Sequence, residues 1–133
     1  MKSSTLLICL LLISCLAAGQ CTLEIEISGI RNNKGEILLQ LFNENQKVIS
    51  QQKGAIADNT CTIKFSDLKA GKYAVRYFHD ENLSQKLETN ALGKPKEGYG
   101  FSNNAAGMFG MPSFDKWIFE LNSSMKIRLK PVY

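Results

Sequence analysis

Apolar and polar residues alternate with a period of two along most of this chain. The first such run places Cys21, Leu23, Ile25 and Ile27 on one side and polar residues on the other. Five later runs repeat it, with apolar sides Ile37/Leu39/Leu41, Cys61/Ile63/Phe65, Tyr73/Val75/Tyr77, Trp117/Phe119/Leu121 and Met125/Ile127/Leu129. Successive side chains of a β-strand point to opposite faces, so the pattern predicts strands with one buried face. We therefore expect an all-β fold, an antiparallel two-sheet sandwich of about seven strands with one long ordered loop.

The first residues have the composition of an export signal. Lys2 supplies a positive start, an apolar stretch follows, and small residues end the segment at Gly19. This order predicts a cleaved signal peptide over residues 1–19 and a single sandwich domain over residues 20–133. The alternative is a lipobox ending at Cys15, which would give a lipid-anchored outer-membrane form. Either way we expect an exported protein, periplasmic or secreted.

Composition limits the partners of the mature chain. No segment after the signal approaches the roughly 20 apolar residues of a membrane helix. The formal net charge of the full sequence is only +4, and the sequence lacks the basic clusters interleaved with aromatic residues that nucleic-acid binders use. We expect a monomer that does not bind nucleic acid. We also expect the mature chain to have no transmembrane span. An unidentified protein, glycan or small molecule of the cell envelope is the expected partner.

Two cysteines follow the signal segment. Cys21 and Cys61 both lie on the apolar side of their runs. Inward-facing cysteines in an oxidising compartment favour a disulfide between two strands. The alternative is two separate buried thiols.

A run of oxygen-bearing side chains follows the Tyr73 strand and permits a test for calcium. Asp80, Asn82, Ser84 and Glu88 occupy the alternating positions that calcium loops use, but Gln85 stands where such loops place glycine. Calcium is therefore one hypothesis for residues 80–88. The other is an Asx-type turn, in which Asp80 and Asn82 bind their own backbone.

The single histidine, His79, ends the same strand. It is the one candidate general base of a hydrolase, assisted by Asp80 or Glu81, with Ser102 as the nucleophile. The alternative is a structural role, in which His79 lies at the rim of the sheet and hydrogen-bonds a loop carbonyl.

A long glycine-rich loop occupies residues 80–114, and its second half holds Gly98 and Gly100 on either side of Tyr99. Long loops on compact domains are commonly functional. Two roles are open: a structural cap over the sheet end, or a surface for a ligand or partner. The predicted contact surface comprises His79, Asp80, Glu81, Asn82, Glu97, Tyr99, Phe101, Ser102 and Asn103.

Several segments together resemble a known family. Residues 68–75 resemble the strand entry of transthyretin-like and carboxypeptidase-regulatory-like β-sandwiches. Residues 71–74, 79–82, 92–103 and 110–114 together resemble the bacterial secreted family known as domain of unknown function 2141. The resemblance covers nearly all of the mature chain. It implies an immunoglobulin-like or transthyretin-like sandwich in an exported protein, with no established activity.

The acidic loop departs from the pattern of that family. Members typically have Asp-Glu-Asn-Gly-Asn-Gly-Lys-Leu-Asp there, whereas this chain has Leu83, Ser84, Gln85 and Glu88. Both glycines are replaced, which weakens any calcium site that the family pattern implies.

Three functions are consistent with these observations. The first is a non-enzymatic binding or accessory module that uses the 80–114 loop, without a cofactor. The second is a structural domain stabilised by calcium at residues 80–88. The third is a hydrolase that uses His79.

Overall fold

A computed structural model describes residues 20–108 and 110–133. The predicted signal peptide and the lipobox cysteine, Cys15, lie outside the described residues. Within the described part of the chain, no helix is long and apolar enough to cross a membrane.

Eight strands account for about half of the described residues. They are β1 (Gln20–Ile27), β2 (Glu36–Asn43), β3 (Val48–Ala55), β4 (Cys61–Lys69), β5 (Gly71–Asp80), β6 (Tyr99–Phe101), β7 (Ile118–Leu121) and β8 (Met125–Leu129). A 3-10 turn (Ser102–Asn104) and one short helix, α1 (Phe114–Trp117), lie between β6 and β7.

The strands form two sheets, which confirms the predicted two-sheet all-β architecture. The smaller sheet has the order β4-β1-β8, and the larger has the order β3-β2-β5-β6 with β7 also paired to β5. Most pairs are antiparallel, but β1 and β8 are parallel. That pair connects the two ends of the described chain, so no tight hairpin constrains its direction.

The alternating runs meet between the sheets and form the main core. Ile25, Leu39 and Val75 are at most 1% exposed, and the other inward residues of β1, β2, β4 and β5 join them. Burying one such side chain contributes about 1.5–3 kcal/mol, so this layer is the main source of stability.

A second apolar cluster lies on the outer face of the larger sheet. Trp117 is fully buried, and the rings of Phe42, Phe101 and Phe114 surround it with centroids at 5.2, 5.1 and 4.9 Å. Each pair has an edge-to-face arrangement, which aromatic rings prefer. The end of the 80–114 loop is thereby held against the outer face of the sheet.

The sequence interpretation of three elements was wrong. The short strand β6 was missed because it lies within residues 80–114, which were predicted to be a loop. Trp117 is buried as predicted, but it ends helix α1 and the strand begins only at Ile118. Strand β3 was missed because its sequence alternates poorly: Val48 and Ile49 are exposed and Gly54 is buried. An edge strand with one solvated side lacks the apolar alternation that reveals central strands.

The predicted disulfide is also wrong. Both cysteines are buried on adjacent strands, but each is a free thiol. Cys21 is opposite Leu68 and Cys61 is opposite Ile27, at the two ends of the β1–β4 pairing. Six strand residues separate these positions, about 20 Å at the usual rise per residue and far beyond the reach of a disulfide. Burial also raises the pKa of the Cys61 thiol to about 11, which makes it an inert thiol at neutral pH.

Candidate functional site

Strand β5 connects the two regions that carry most of the polar chemistry. Its end, at His79 and Asp80, opens into the 80–114 loop. Its outward residues Arg76 and Phe78 face a groove between the sheet and the same loop.

His79 is completely buried and has partners on both ring nitrogens. Nε2 lies 2.6 Å from the Lys34 carbonyl oxygen, and Nδ1 lies 2.9 Å from the Tyr133 hydroxyl. The carbonyl can only accept, so Nε2 carries a hydrogen, and the Tyr133 hydroxyl is the hydrogen-bond partner of Nδ1. That hydroxyl in turn accepts the Arg31 backbone N–H at 3.1 Å. The imidazole therefore has no free nitrogen directed at solvent.

An ion pair covers this histidine. Arg31 Nε donates to Glu81 Oε1 at 2.5 Å, and its guanidinium lies 4.7 Å from the centroid of the Tyr133 ring. Burial raises the pKa of Glu81, but the hydrogen bond and charge of Arg31 outweigh it and the net pKa is lowered. Tyr133 also packs against Gly98, where a Cβ would lie 2.4 Å from the ring. Only glycine fits there.

Glu97 joins the cluster from the far side of the loop. It is 5% exposed, and its Oε2 accepts the Glu81 backbone N–H at 2.7 Å. Its Oε1 has no hydrogen-bond partner among the described residues. These contacts connect the start of the loop, its middle and the C-terminal residue to one another. The residues that make them are Lys34, His79, Glu81, Glu97 and Tyr133.

Asp80 organises the acidic turn. Its Oδ1 accepts the Ser84 N–H at 3.0 Å and its Oδ2 accepts the Gln85 N–H at 2.8 Å. The Asn82 side-chain amide donates to Glu88 Oε1 at 2.7 Å. This is the turn-forming role considered for Asp80 and Asn82. Across the described residues, no group of three or more acidic, histidine or cysteine side chains is placed to hold a metal; the calcium hypothesis stays a prediction.

Ser102 is a structural link between two elements. It is fully buried, accepts the Val75 N–H at 3.0 Å and donates to the Trp117 carbonyl. Asn103 donates to the Ile118 carbonyl at 2.9 Å in the same way. Val75 and His79 are four residues apart on one strand, about 13 Å, so Ser102 and His79 are not brought together as a nucleophile and its base.

These contacts change the interpretation of the predicted ligand surface. Five of its members are buried: His79, Asp80, Glu97, Phe101 and Ser102. They position the loop and do not form an exposed contact surface. Tyr99, in contrast, is partly exposed and faces the groove.

The groove lies on the outer face of the larger sheet and has a volume of about 680 Å³. Strands β2 and β5 provide its floor, strand β3 one side, and the 80–114 loop the other. Its apolar surface comes from Leu38, Phe78, Leu87, Pro95, Tyr99 and Met111. A volume of this size is typical of small-molecule sites.

Arg76 is the main charged group of the floor. Its Nε donates to Gln40 Oε1 at 3.1 Å, its Nη2 donates to the same oxygen, and its guanidinium lies 5.2 Å from the centroid of the Phe42 ring. Burial lowers the pKa of Arg76. Lys53 also lines the groove, but its ammonium lies 3.6 Å from Glu36 Oε1.

Comparison with known families identifies the chain. A family described as an uncharacterised protein conserved in bacteria, DUF2141, matches residues 25–128. The chain belongs to this DUF2141 family. The match confirms the resemblance seen in the sequence, and no curated protein matches the chain. The DUF2141 region includes the whole 80–114 loop and every residue named above as lining the groove.

The glycine-rich family pattern has a physical reason at the acidic turn. Leu83 and Gln85 adopt φ of 57° and 63°, the left-handed region that favours glycine. They stand where the pattern of the DUF2141 family has its glycines. The turn keeps the backbone geometry for which those glycines are suited.

Sequence reasoning missed the groove residues Arg76, Gln40 and Phe78. A signal existed, because Leu38 and Phe42 place apolar residues on the otherwise polar side of the β2 run. Such a break in the alternation indicates that the second face of a sheet is partly covered.

Proposed function

We propose that this protein is an exported, non-enzymatic binding module that holds a ligand in the groove beneath the 80–114 loop. The observation that carries the proposal is the groove itself, about 680 Å³ of largely apolar surface on the outer face of the larger sheet. Several apolar side chains there stay exposed, Leu87 at 38% and Met111 at 53%. Exposed apolar side chains gathered in one concave site mark a place where a ligand or partner binds.

The remaining polar residues support this role by fixing the loop. The ion pair of Arg31 with Glu81, the buried His79 and the Asp80 turn all act at the base of the loop. At its other end, Ser102 and Trp117 attach it to the sheet. A loop held at both ends presents a preformed wall, which reduces the entropy lost on binding.

Fluorescence of the neutral apolar probe N-phenyl-1-naphthylamine tests the proposal on the mature protein. We expect saturable binding that the variant Leu87→Trp reduces at least about fivefold, because a larger side chain fills the groove wall. The matched control is Leu92→Trp, in the same loop, because the Leu92 side chain is 88% exposed and is not among those that line the groove. No saturable binding, or equal effects of the two variants, would refute the proposal.

A further inference from the structure

We propose that the groove takes an amphipathic anion, a single-chain fatty acid, with its carboxylate on Arg76 and its hydrocarbon chain against the apolar walls. This inference rests on the proposed binding function and names its ligand class. Three observations carry it: the absence of a carboxylate partner for Arg76 among the described residues, the positive charge of the groove, and the arrangement of the apolar residues that line it.

Arg76 is a partly buried cation with only a neutral partner. Its two donating nitrogens share one oxygen of Gln40, directly opposite it on β2, and Phe42 covers one face of the guanidinium. A guanidinium has five N–H donors in a planar fork that matches a carboxylate. Most of that fork is therefore left for a ligand, while Gln40 and Phe42 hold it in place.

The charge around the groove has one sign. Among the described residues that line it, Arg76 and Lys53 are the charged side chains, and both are cationic. Lys53 has Glu36 as a neighbour, so of these two cations Arg76 is the one without a carboxylate partner among the described residues. Desolvation is the sole cause of its lowered pKa, in agreement with a cation removed from water without a counter-charge.

The apolar residues extend away from this charge. Leu38 and Phe78 face each other across β2 and β5, next to the pair of Gln40 and Arg76. Leu87, Pro95 and Met111 cover them from the loop side. A ligand that satisfies both parts has an acidic head and an apolar tail. An inorganic anion would leave the walls exposed, and a neutral hydrocarbon would leave the guanidinium unpaired.

Displacement of N-phenyl-1-naphthylamine by three ligands of equal chain length tests the inference. Dodecanoate and dodecylammonium are used below their micelle concentrations, and dodecanol is used below its solubility limit. Dodecanoate, dodecanol and dodecylammonium differ only in the head group. We expect dodecanoate to displace the probe at a concentration about tenfold or more below dodecanol, since an arginine–carboxylate pair shielded from water is strong. We expect dodecylammonium to bind most weakly.

Arg76→Gln should remove the preference for dodecanoate, so that dodecanoate displaces the probe no more effectively than dodecanol does. The control is Arg128→Gln, on strand β8 of the other sheet, whose side chain is 73% exposed; it should keep the preference. If Arg76→Gln does not fold, Leu87→Glu supplies a repulsive carboxylate on the wall, with Leu92→Glu as its control. Leu87→Glu should weaken dodecanoate more than dodecanol.

The outcomes separate this inference from the proposed function. Equal binding of dodecanoate and dodecanol would overturn the fatty-acid inference and leave the groove as a binding site. Tightest binding of dodecylammonium, or a preference unchanged in Arg76→Gln, would overturn it as well. If neither the probe nor any of the three ligands binds, the proposed function fails together with it.

Discussion

At Gly54, strand β3 packs closely against strand β4 of the other sheet. This glycine is buried, and a Cβ added to it would lie 2.3 Å from Cys61 Sγ and 2.9 Å from Ile63 Cγ1. An ordinary van der Waals contact between two such atoms is at least about 1 Å longer than the distance to Cys61 Sγ. Gly54→Ala must therefore displace the Cys61 side chain or separate the strands.

The expected cost follows from this overlap. Adding a methyl group to a packed core typically costs about 1–3 kcal/mol. The methyl meets a sulfur held on a strand, so we expect a value near 2 kcal/mol. Cys61→Ala alone removes one buried heavy atom and should cost about 1 kcal/mol. In that background the overlap with the sulfur is gone and only the one with Ile63 remains, so the added cost of Gly54→Ala should fall to about 1 kcal/mol.

Urea unfolding of the four proteins measures this coupling, with each free energy taken from the midpoint and slope. Gly71→Ala is the control, because its Cβ would meet nothing closer than Tyr73 Cε2 at 4.0 Å. It should stay within about 0.5 kcal/mol of wild type. If Gly54→Ala is neutral, or costs the same with and without Cys61, the close β3–β4 packing described here is wrong.

Other parts of the structure give four further predictions. Both buried thiols should resist a thiol reagent in the native protein and react fully in denaturant; a non-reducing mass that lacks two hydrogens would contradict their free state. The pKa of Glu81 is lower in the folded protein than its ordinary value of 4.5, so its ion pair with Arg31 stabilises the fold fully above about pH 4.5. This stabilisation is lost as the pH falls through the lower pKa of the folded state. Unfolding free energies of wild type and Arg31→Gln should therefore converge in acid, and a constant difference would refute the pairing. Replacing Leu83 and Gln85 by glycine should relieve left-handed strain and raise stability by up to about 1 kcal/mol in urea unfolding; a loss would refute that strain. The melting temperature should be nearly equal in EDTA and in millimolar calcium, because Asp80 already accepts two backbone N–H groups; a clear rise with calcium, lost in Asp80→Ala, would establish the metal site instead.

Local pattern determined much of the fold. Because alternation has a period of two, it correctly placed Ile25, Leu39 and Val75 in the core and predicted two sheets. The glycine-rich composition also marked residues 80–114 as an unusual segment. The extra apolar residues Leu38 and Phe42 indicated that the outer face of the larger sheet is covered, but not by what.

The tertiary structure decided strand register and loop path, neither of which is local. Register put Cys21 and Cys61 at opposite ends of one strand pair, although each is buried as its own run predicts. The loop path buried His79 against Lys34 and Tyr133, and left Arg76 in a groove without a carboxylate partner among the described residues. A side chain's face follows from its neighbours in sequence. Its partners follow from contacts between distant segments, which is why the sequence alone predicted the sandwich and missed the groove.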